Sequence, residues 1–160
     1  MRKVFLVTGF NNWGKTTLLY DLFNVKAFRR GVAYSYAGCS FFVLPKSNDD
    51  LGKRGYEREY RDCLKDFVSV NGDPACVASV FCPTRESRNK SIEIIRNIYA
   101  EDQIEMLLLE YKWCGQGKLL ATEIEHLYAA LPNFAIHRVS ARSREGKLAK
   151  AQAILSSTLP

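Results

Sequence analysis

Residues 4–23 read VFLVTGFNNWGKTTLLYDLF and contain the most informative pattern in the chain. Its first residues, Val4–Thr8, are apolar and partly β-branched, which predicts a buried strand. From Lys15 to Val25, leucine and phenylalanine recur at helical spacing. A polar turn that contains Gly9 and Gly14 lies between the two. The sequence therefore predicts a strand, a loop and a helix in succession, and the loop is the first candidate for function.

This loop satisfies the pattern G-x-x-x-x-G-K-[ST] at every defined position. Its glycines allow the backbone to curve around a phosphate with N–H groups pointing inward, and the helix N-terminus adds partial positive charge. In this pattern Lys15 reaches the β- and γ-phosphates and the Thr16 hydroxyl binds Mg²⁺. The sequence thus predicts binding of a nucleoside triphosphate with Mg²⁺, with Lys15 as the catalytic residue. The predicted phosphate-binding residues are Gly9, Asn11, Asn12, Trp13, Gly14, Lys15, Thr16 and Thr17.

Strands and helices alternate along the rest of the chain. Four further runs have the composition of buried strands: Ser40–Leu44, Ala75–Cys82, Met106–Leu109 and Phe134–Val139. Segments with helical periodicity follow them, at residues 56–67, 91–99, 120–131 and 148–155. This alternation predicts one three-layer α/β domain over residues 1–160, with a mostly parallel five-stranded sheet covered by helices on both faces. Residues 26–38 are predicted to be irregular, and residues 46–55 to form a polar loop.

Composition narrows the class of protein. Hydrophobic residues make up 47% and charged residues 25% of 160 residues, which is typical of a globular domain. The net charge of +6 is spread along the chain, so nucleic acid is not indicated beyond a mild basic character. Five cysteines without a C-x-x-C pair and two histidines predict neither disulfides nor a zinc site. Every apolar run is shorter than the ~20 residues of a transmembrane helix, and a cytoplasmic location is expected.

Three further segments resemble Ras-like GTPases. Residues 139–142 (VSAR), followed by Glu145 and Gly146, are similar to the S-A-K or S-A-L element whose backbone contacts guanine. Residues 107–114 (LLLEYKWC) occupy the place of the hydrophobic-N-K-x-D element, and residues 80–89 (VFCPTRESRN) resemble the strand and helix before it. The resemblance covers almost the whole chain. It implies a P-loop NTPase fold of the Ras-like type, with the base between Lys112 and the turn formed by Ser140, Ala141 and Arg142.

The departures from this family affect base recognition and hydrolysis. Tyr111 and Cys114 stand where the family has Asn and Asp, so guanine specificity is in doubt. The D-x-x-G element is matched only by residues 49–52, which would supply Asp49 as a Mg²⁺ ligand beside Thr16, and no glutamine follows. The resemblance therefore implies a degenerate GTPase that acts as a slow hydrolase or a nucleotide-dependent switch. Residues 26–38 and 46–55 would order around the γ-phosphate and contact a partner protein.

A small kinase is the first alternative. Residues 48–50 (NDD) provide carboxylates that could accept the proton of an acceptor hydroxyl. Residues 82–88 (CPTRESR) resemble the S-P-x-R-x-x-R stretch of adenylylsulfate kinases, in which Arg85 and Arg88 would bind an acceptor anion. Such kinases usually carry an arginine-bearing lid after the fourth strand, where this chain has KWCGQGK at residues 112–118.

A non-catalytic scaffold is the second alternative. Four aromatic residues would form its docking surface if they were exposed near the ligand edge of the sheet: Trp13, Tyr34, Tyr36 and Trp113. A separate ambiguity concerns Glu110, which follows four apolar residues as the acid of a Walker B strand does. Glu110 is therefore an alternative candidate for positioning Mg²⁺ or water.

Overall fold

The computed structural model describes residues 1–83, 90–112 and 120–160. Within these ranges the strands are β1 (Lys3–Thr8), β2 (Tyr34–Tyr36), β3 (Cys39–Leu44), β4 (Cys76–Phe81), β5 (Gln103–Leu109) and β6 (Phe134–Val139). The helices are α1 (Lys15–Phe23), α2 (Asn48–Asn71), α3 (Ser91–Ile98), α4 (Ala121–Tyr128) and α5 (Arg144–Thr158). The predicted α/β class is confirmed, and each predicted strand and helix is found, with the largest change in bounds at α2.

The strands form one mixed sheet in the order β2-β3-β4-β1-β5-β6. β1 lies in its interior and pairs in parallel with β4 on one side and β5 on the other. Alternate residues of β1 enter two separate cores, Val4 and Leu6 on one face and Phe5 and Val7 on the other. Helices α2, α3 and α4 cover the first face, and α1 and α5 cover the second. This arrangement confirms helices on both faces and places the loop after β1 at the centre of the carboxyl edge.

The prediction of five strands was wrong, because the segment predicted to be irregular contains a sixth. Tyr34–Tyr36 pairs antiparallel with Cys39–Phe41. Ala37 (φ 49°) and Gly38 (φ 80°) form the two-residue turn between them, which requires positive φ at both positions. Tyr34 and Tyr36 are half-buried against the ring of Phe23, and this contact stabilises the short strand. These two tyrosines therefore contribute to a core and are not a free docking surface.

The prediction of a loop at residues 46–55 was also wrong. The helix α2 begins at Asn48, and Asp49 and Asp50 occupy its first turn, where carboxylates interact favourably with the helix dipole. Gly52 (φ 71°, ψ 173°) interrupts the helix, so the first turn is set at an angle to the long segment that follows. This stretch is polar, and the interruption at Gly52 separates it from the periodic pattern of the later helix. Its sequence therefore resembles that of a loop.

A hydrogen-bonded group of hydroxyls lies in the core between α2, α3 and the sheet. The Tyr56 hydroxyl is 2.6 Å from the Tyr99 hydroxyl and 2.9 Å from the hydroxyl of Ser79. Ser79 donates in turn to the carbonyl of Leu44 at 2.9 Å. Burial raises the pKa of Tyr56 from 10.0 to about 12. It also raises the pKa of the tyrosines at positions 60, 99 and 128.

We expect the free energy of unfolding to fall as the pH rises from about 10 towards about 12. In this window the unfolded chain releases tyrosine protons that the folded chain retains, so the unfolded state binds fewer protons and is favoured. The expected slope is roughly 1 kcal/mol per pH unit for each such tyrosine. Urea unfolding at a series of alkaline pH values measures it, and Tyr56→Phe should make the slope shallower. Titration of all eight tyrosines near their ordinary pKa in the folded protein would contradict this account.

Candidate phosphate-binding site

The loop of residues 9–16 connects the end of β1 directly to the start of α1. The N–H of Gly9 donates to the carbonyl of Phe81 at 3.1 Å, which fixes the start of the loop against the end of β4. Gly14 (φ 82°) occupies the N-cap of α1 in the left-handed region, where a side chain would be strained. Its carbonyl accepts the helical hydrogen bond from the Leu18 N–H at 2.9 Å. The backbone thus turns sharply into a helix whose N-terminus faces the space above the sheet edge.

The side chain of Lys15 curves back across this loop. Its ammonium donates to the carbonyl of Gly9 at 2.9 Å and contacts Oδ2 of Asp49 at 3.1 Å. Only 6% of the Lys15 side chain is exposed. A buried ammonium needs an anionic partner, and a phosphate oxygen that entered the site would compete with Asp49 for it.

Asp49 brings a second charged group to the site from a distant segment. It lies in the first turn of α2, and 12% of its side chain is exposed. While Oδ2 contacts Lys15, Oδ1 is buried and has no hydrogen-bond partner among the residues that the structure covers. A buried carboxylate oxygen without a partner is costly, which fits a site that is completed by a ligand or a cation.

An open cavity of about 300 Å³ lies between the loop and the start of α2. This volume is at the lower end of the range for small-molecule sites, a size suited to a phosphate chain. Most of the predicted phosphate-binding residues line this cavity. Ser47 and Asp50 line it as well, although neither was predicted as a ligand. The lining consists of Asn11, Asn12, Trp13, Gly14, Lys15, Thr16, Thr17, Ser47, Asp49 and Asp50.

Asn48 holds the start of α2 in place. It is fully buried, its amide donates to the carbonyl of Cys82 at 3.0 Å, and its Oδ1 accepts from the Cys82 N–H at 2.7 Å. The turn that carries Asp49 and Asp50 is thereby attached to the end of β4, next to the loop of residues 9–16. Sequence reasoning proposed Asn48 only as part of an acidic stretch, because its partner is 34 residues away.

Trp13 supports the loop and is not part of an exposed surface. It is 8% exposed and packs edge-on against Phe10, with ring centroids 5.4 Å apart. It also belongs to the core beneath α2, α3 and α4. Trp13 therefore stabilises the loop from the side of the core, and it also lines the cavity.

The predicted base-recognition residues lie together at the ends of β5 and β6. Ser140 donates to Glu110 at 2.8 Å, and the guanidinium of Arg142 lies 4.6 Å from the centre of the Tyr111 ring. Glu110 is thus engaged by Ser140 in this conformation. Lys112 follows at the end of β5 and is half-buried, and Ala141 lies between Ser140 and Arg142.

A small crevice lies between α1 and α5. It measures about 10 Å³, the room of one water molecule, and Gly14, Thr17 and Lys147 contribute to its walls. Arg144 closes it with two hydrogen bonds to Asp21, at 2.7 and 2.8 Å, which hold the pKa of Asp21 below its usual value.

Several predicted residues lie outside the residues that the structure describes. These are Arg85 and Arg88 of the kinase-like stretch, and Trp113 and Cys114 with the rest of residues 113–118. Their predicted roles stay predictions.

The residues present fit a Mg²⁺ ion that arrives with a phosphate ligand. Thr16 and Asp49 border the same cavity, and Oδ1 of Asp49 has no hydrogen-bond partner in the described part of the chain. Across the covered ranges no cluster of three or more His, Cys, Asp or Glu side chains suits a metal. Mg²⁺ does not require one, since it is commonly held by one or two carboxylates, phosphate oxygens and water.

Comparisons of the chain with protein families, with curated proteins and with solved structures gave no significant match. Among the helices described, none has both the length and the apolar character needed to cross a membrane.

Proposed function

We propose that this protein binds a nucleoside triphosphate with Mg²⁺ at residues 9–17 and transfers its γ-phosphoryl group. The observation that carries the proposal is the buried ammonium of Lys15, which lies over a G-x-x-x-x-G-K-[ST] loop and contacts Asp49 at the wall of an open cavity. The remaining support comes from the position of the loop, between an interior parallel strand and a helix N-terminus, where backbone N–H groups and the helix dipole favour phosphate.

Each charged residue then has a defined role. Lys15 exchanges Asp49 for oxygens of the β- and γ-phosphates and stabilises the charge that develops during transfer. Asp49, released from Lys15, and the Thr16 hydroxyl are the residues that would hold Mg²⁺. When bound, the ion neutralises phosphate charge. Asp50, at the same cavity, is the candidate to accept a proton from the attacking hydroxyl or water.

Two acceptors of the phosphoryl group are compatible with this site. Slow transfer to water would make the protein a degenerate Ras-like GTPase or a nucleotide-dependent switch. In its favour, the D-x-x-G match brings Asp49 to Lys15, and Lys112 and residues 140–142 lie at adjacent strand ends. Against it, β4 separates β1 from β3, so the strand before D-x-x-G is not beside the phosphate loop.

A second substrate is the acceptor that we favour, because the strand order counts against the Ras-like alternative. Two carboxylates, Asp49 and Asp50, border the phosphate cavity, which provides one for the cation and one for a proton. In the transfer, the acceptor oxygen forms a bond to the γ-phosphorus while the bond to the bridging oxygen breaks. The acceptor proton passes to Asp50, and a nucleoside diphosphate leaves.

Thermal unfolding with Mg²⁺ and GTP, GDP, ATP or ADP in turn tests the proposal. At about 100 times its dissociation constant, a nucleotide should stabilise the protein by about 2.7 kcal/mol, a shift of several degrees. GTP preference would support the Ras-like alternative, and phosphate release would then be measured without an acceptor. ATP preference would support the kinase. Absence of any shift would overturn nucleotide binding and leave the scaffold alternative.

A further inference from the structure

A second cavity, of about 290 Å³, is lined partly by the segment that leads into the candidate phosphate site. It is bounded by the segment of residues 28–32, by β3 with the residues that follow it, and by the middle of α2. Lys46 lines this cavity and the next residue, Ser47, lines the phosphate cavity. The linings of the two cavities therefore meet at consecutive residues of the connection from β3 to α2.

The inner wall of this second cavity is apolar. Phe42 and Phe67 are almost fully buried, and their ring centroids are 5.5 Å apart. Cys63 completes the wall, and burial raises the pKa of its thiol to about 11. Phe28, Val32 and Pro45 line the same cavity and are not buried, so they add accessible apolar surface, which favours the body of an organic molecule.

The rim of the same cavity is cationic. Arg29, Arg30 and Lys46 line it, against one lining carboxylate, Glu59. Lys46 contacts Glu59 at 2.8 Å, and Arg30 forms an ion pair with Asp66 outside the cavity. Arg29 is exposed and makes no salt bridge within the ranges that the structure covers. The lining thus has an excess of positive charge, which is complementary to an anionic group.

The edge of the sheet leaves this space open. Within the described sheet, β2 pairs with β3 only as far as Phe41, whereas β4 pairs with β3 as far as Leu44 on the other side. The strand edge beyond Phe41 therefore borders the cavity. Outward-facing backbone groups of an edge strand are available to polar atoms of a ligand.

We propose that this cavity binds the phosphoryl acceptor, a small molecule with an apolar body, an anionic group and a hydroxyl. This inference rests on the proposed function, since the acceptor hydroxyl would extend past Lys46 and Ser47 to the γ-phosphate. Phe28 and Val32 contact the apolar body, while Arg29 and Lys46 bind the anionic group. Lys46 would exchange Glu59 for it, as Lys15 exchanges Asp49 for phosphate.

Naphthyl phosphate is the probe for this site, since it combines an aromatic body with an anion. Naphthol tests the aromatic body alone, and inorganic phosphate tests the anion alone. Isothermal titration should show binding of naphthyl phosphate that is at least tenfold tighter than that of either half. The double variant Arg29→Ala/Lys46→Ala should weaken this binding about tenfold, because two charged contacts are lost. Cys63→Phe should prevent binding of naphthyl phosphate, because the larger side chain would occupy the space beside the apolar wall.

Lys65→Ala is the matched control, because Lys65 is exposed on the same helix and does not line the cavity. Its affinity for the probe should equal that of the wild type. Equal affinity in the double variant and in Cys63→Phe would place the probe elsewhere and overturn the inference. Circular dichroism verifies that Cys63→Phe is folded, and the double variant tests the site independently of that substitution.

Titration in the presence of saturating Mg²⁺ and nucleotide separates this inference from the proposed function. Undiminished binding of the probe to the nucleotide complex supports two adjoining sites. Direct competition would overturn the inference, because it would mean that both ligands use one site. If nucleotide binds and the probe does not, the acceptor site is refuted while the proposed nucleotide binding stands. Probe binding without nucleotide binding overturns the acceptor role and the proposed function, and leaves an anion site.

Discussion

Replacement of Lys15 by alanine is expected to remove most of the stabilisation of this protein by Mg²⁺ and nucleoside triphosphate. The ammonium is buried at the candidate phosphate cavity, 2.9 Å from the Gly9 carbonyl and 3.1 Å from Asp49. Hydrogen bonds between charged groups contribute about 1.5–3 kcal/mol each, so loss of this group removes most of a ligand stabilisation of about 2.7 kcal/mol. Thermal unfolding of the variant with and without nucleotide measures the loss against the unliganded variant.

Two further variants make the result specific. Lys65→Ala removes an exposed lysine and should leave the nucleotide shift unchanged. Asp49→Asn removes the carboxylate opposite Lys15, so the part of the shift that depends on Mg²⁺ should disappear while the rest persists. A wild-type nucleotide shift in Lys15→Ala would show that nucleotide does not bind at this loop, and the proposed function would be abandoned.

Replacement of Asn48 by alanine is expected to lower the stability of the whole domain. The side chain is fully buried and makes hydrogen bonds to both the N–H and the carbonyl of Cys82. Loss of buried partners costs about 1–3 kcal/mol, which corresponds to a fall of several degrees in Tm for a chain of this length. The first turn of α2 also loses its attachment to β4, so the nucleotide shift that depends on Asp49 should decrease.

Asn71→Ala is the matched control for this substitution. Asn71 ends the same helix, is exposed, and its amide contacts the carbonyls of Gly31 and Phe67. Its removal should cost less than about 1 kcal/mol and leave the nucleotide shift unchanged, since it lies far along α2 from the phosphate loop. An Asn48→Ala protein with wild-type Tm and a wild-type Mg²⁺-dependent shift would refute the positioning role of Asn48.

The outline of the fold was predictable because its signals are local. Buried strands and amphipathic helices are visible as apolar runs and periodic segments, and their alternation predicted the α/β class correctly. The missed strand, Tyr34–Tyr36, has three residues, too few for a period to emerge. The missed start of α2 is separated from the rest of its helix by the non-helical residue Gly52, which divides one periodic pattern into two.

Part of the candidate site was predictable for the same reason. Residues 9–17 are contiguous, so the glycines, the lysine and the threonines lie together wherever a strand, a loop and a helix follow one another. Asp49 was identified by its match to D-x-x-G, yet its contact with Lys15 depends on how α2 crosses the sheet edge. The acceptor cavity was not predictable, since its lining comes from three separated segments.

The amino-acid sequence was enough to predict an α/β domain and to identify the loop between the first strand and the first helix as a candidate phosphate-binding loop, because those features depend on residues that are neighbours in the chain. The strand order, with β4 between β1 and β3, emerged only from the folded structure. The same applies to the contact of Lys15 with Asp49 and the attachment of Asn48 to Cys82, each across 34 residues. Pairing of parallel strands and packing of helices join segments that are distant in the chain, and no local pattern specifies which of them become neighbours.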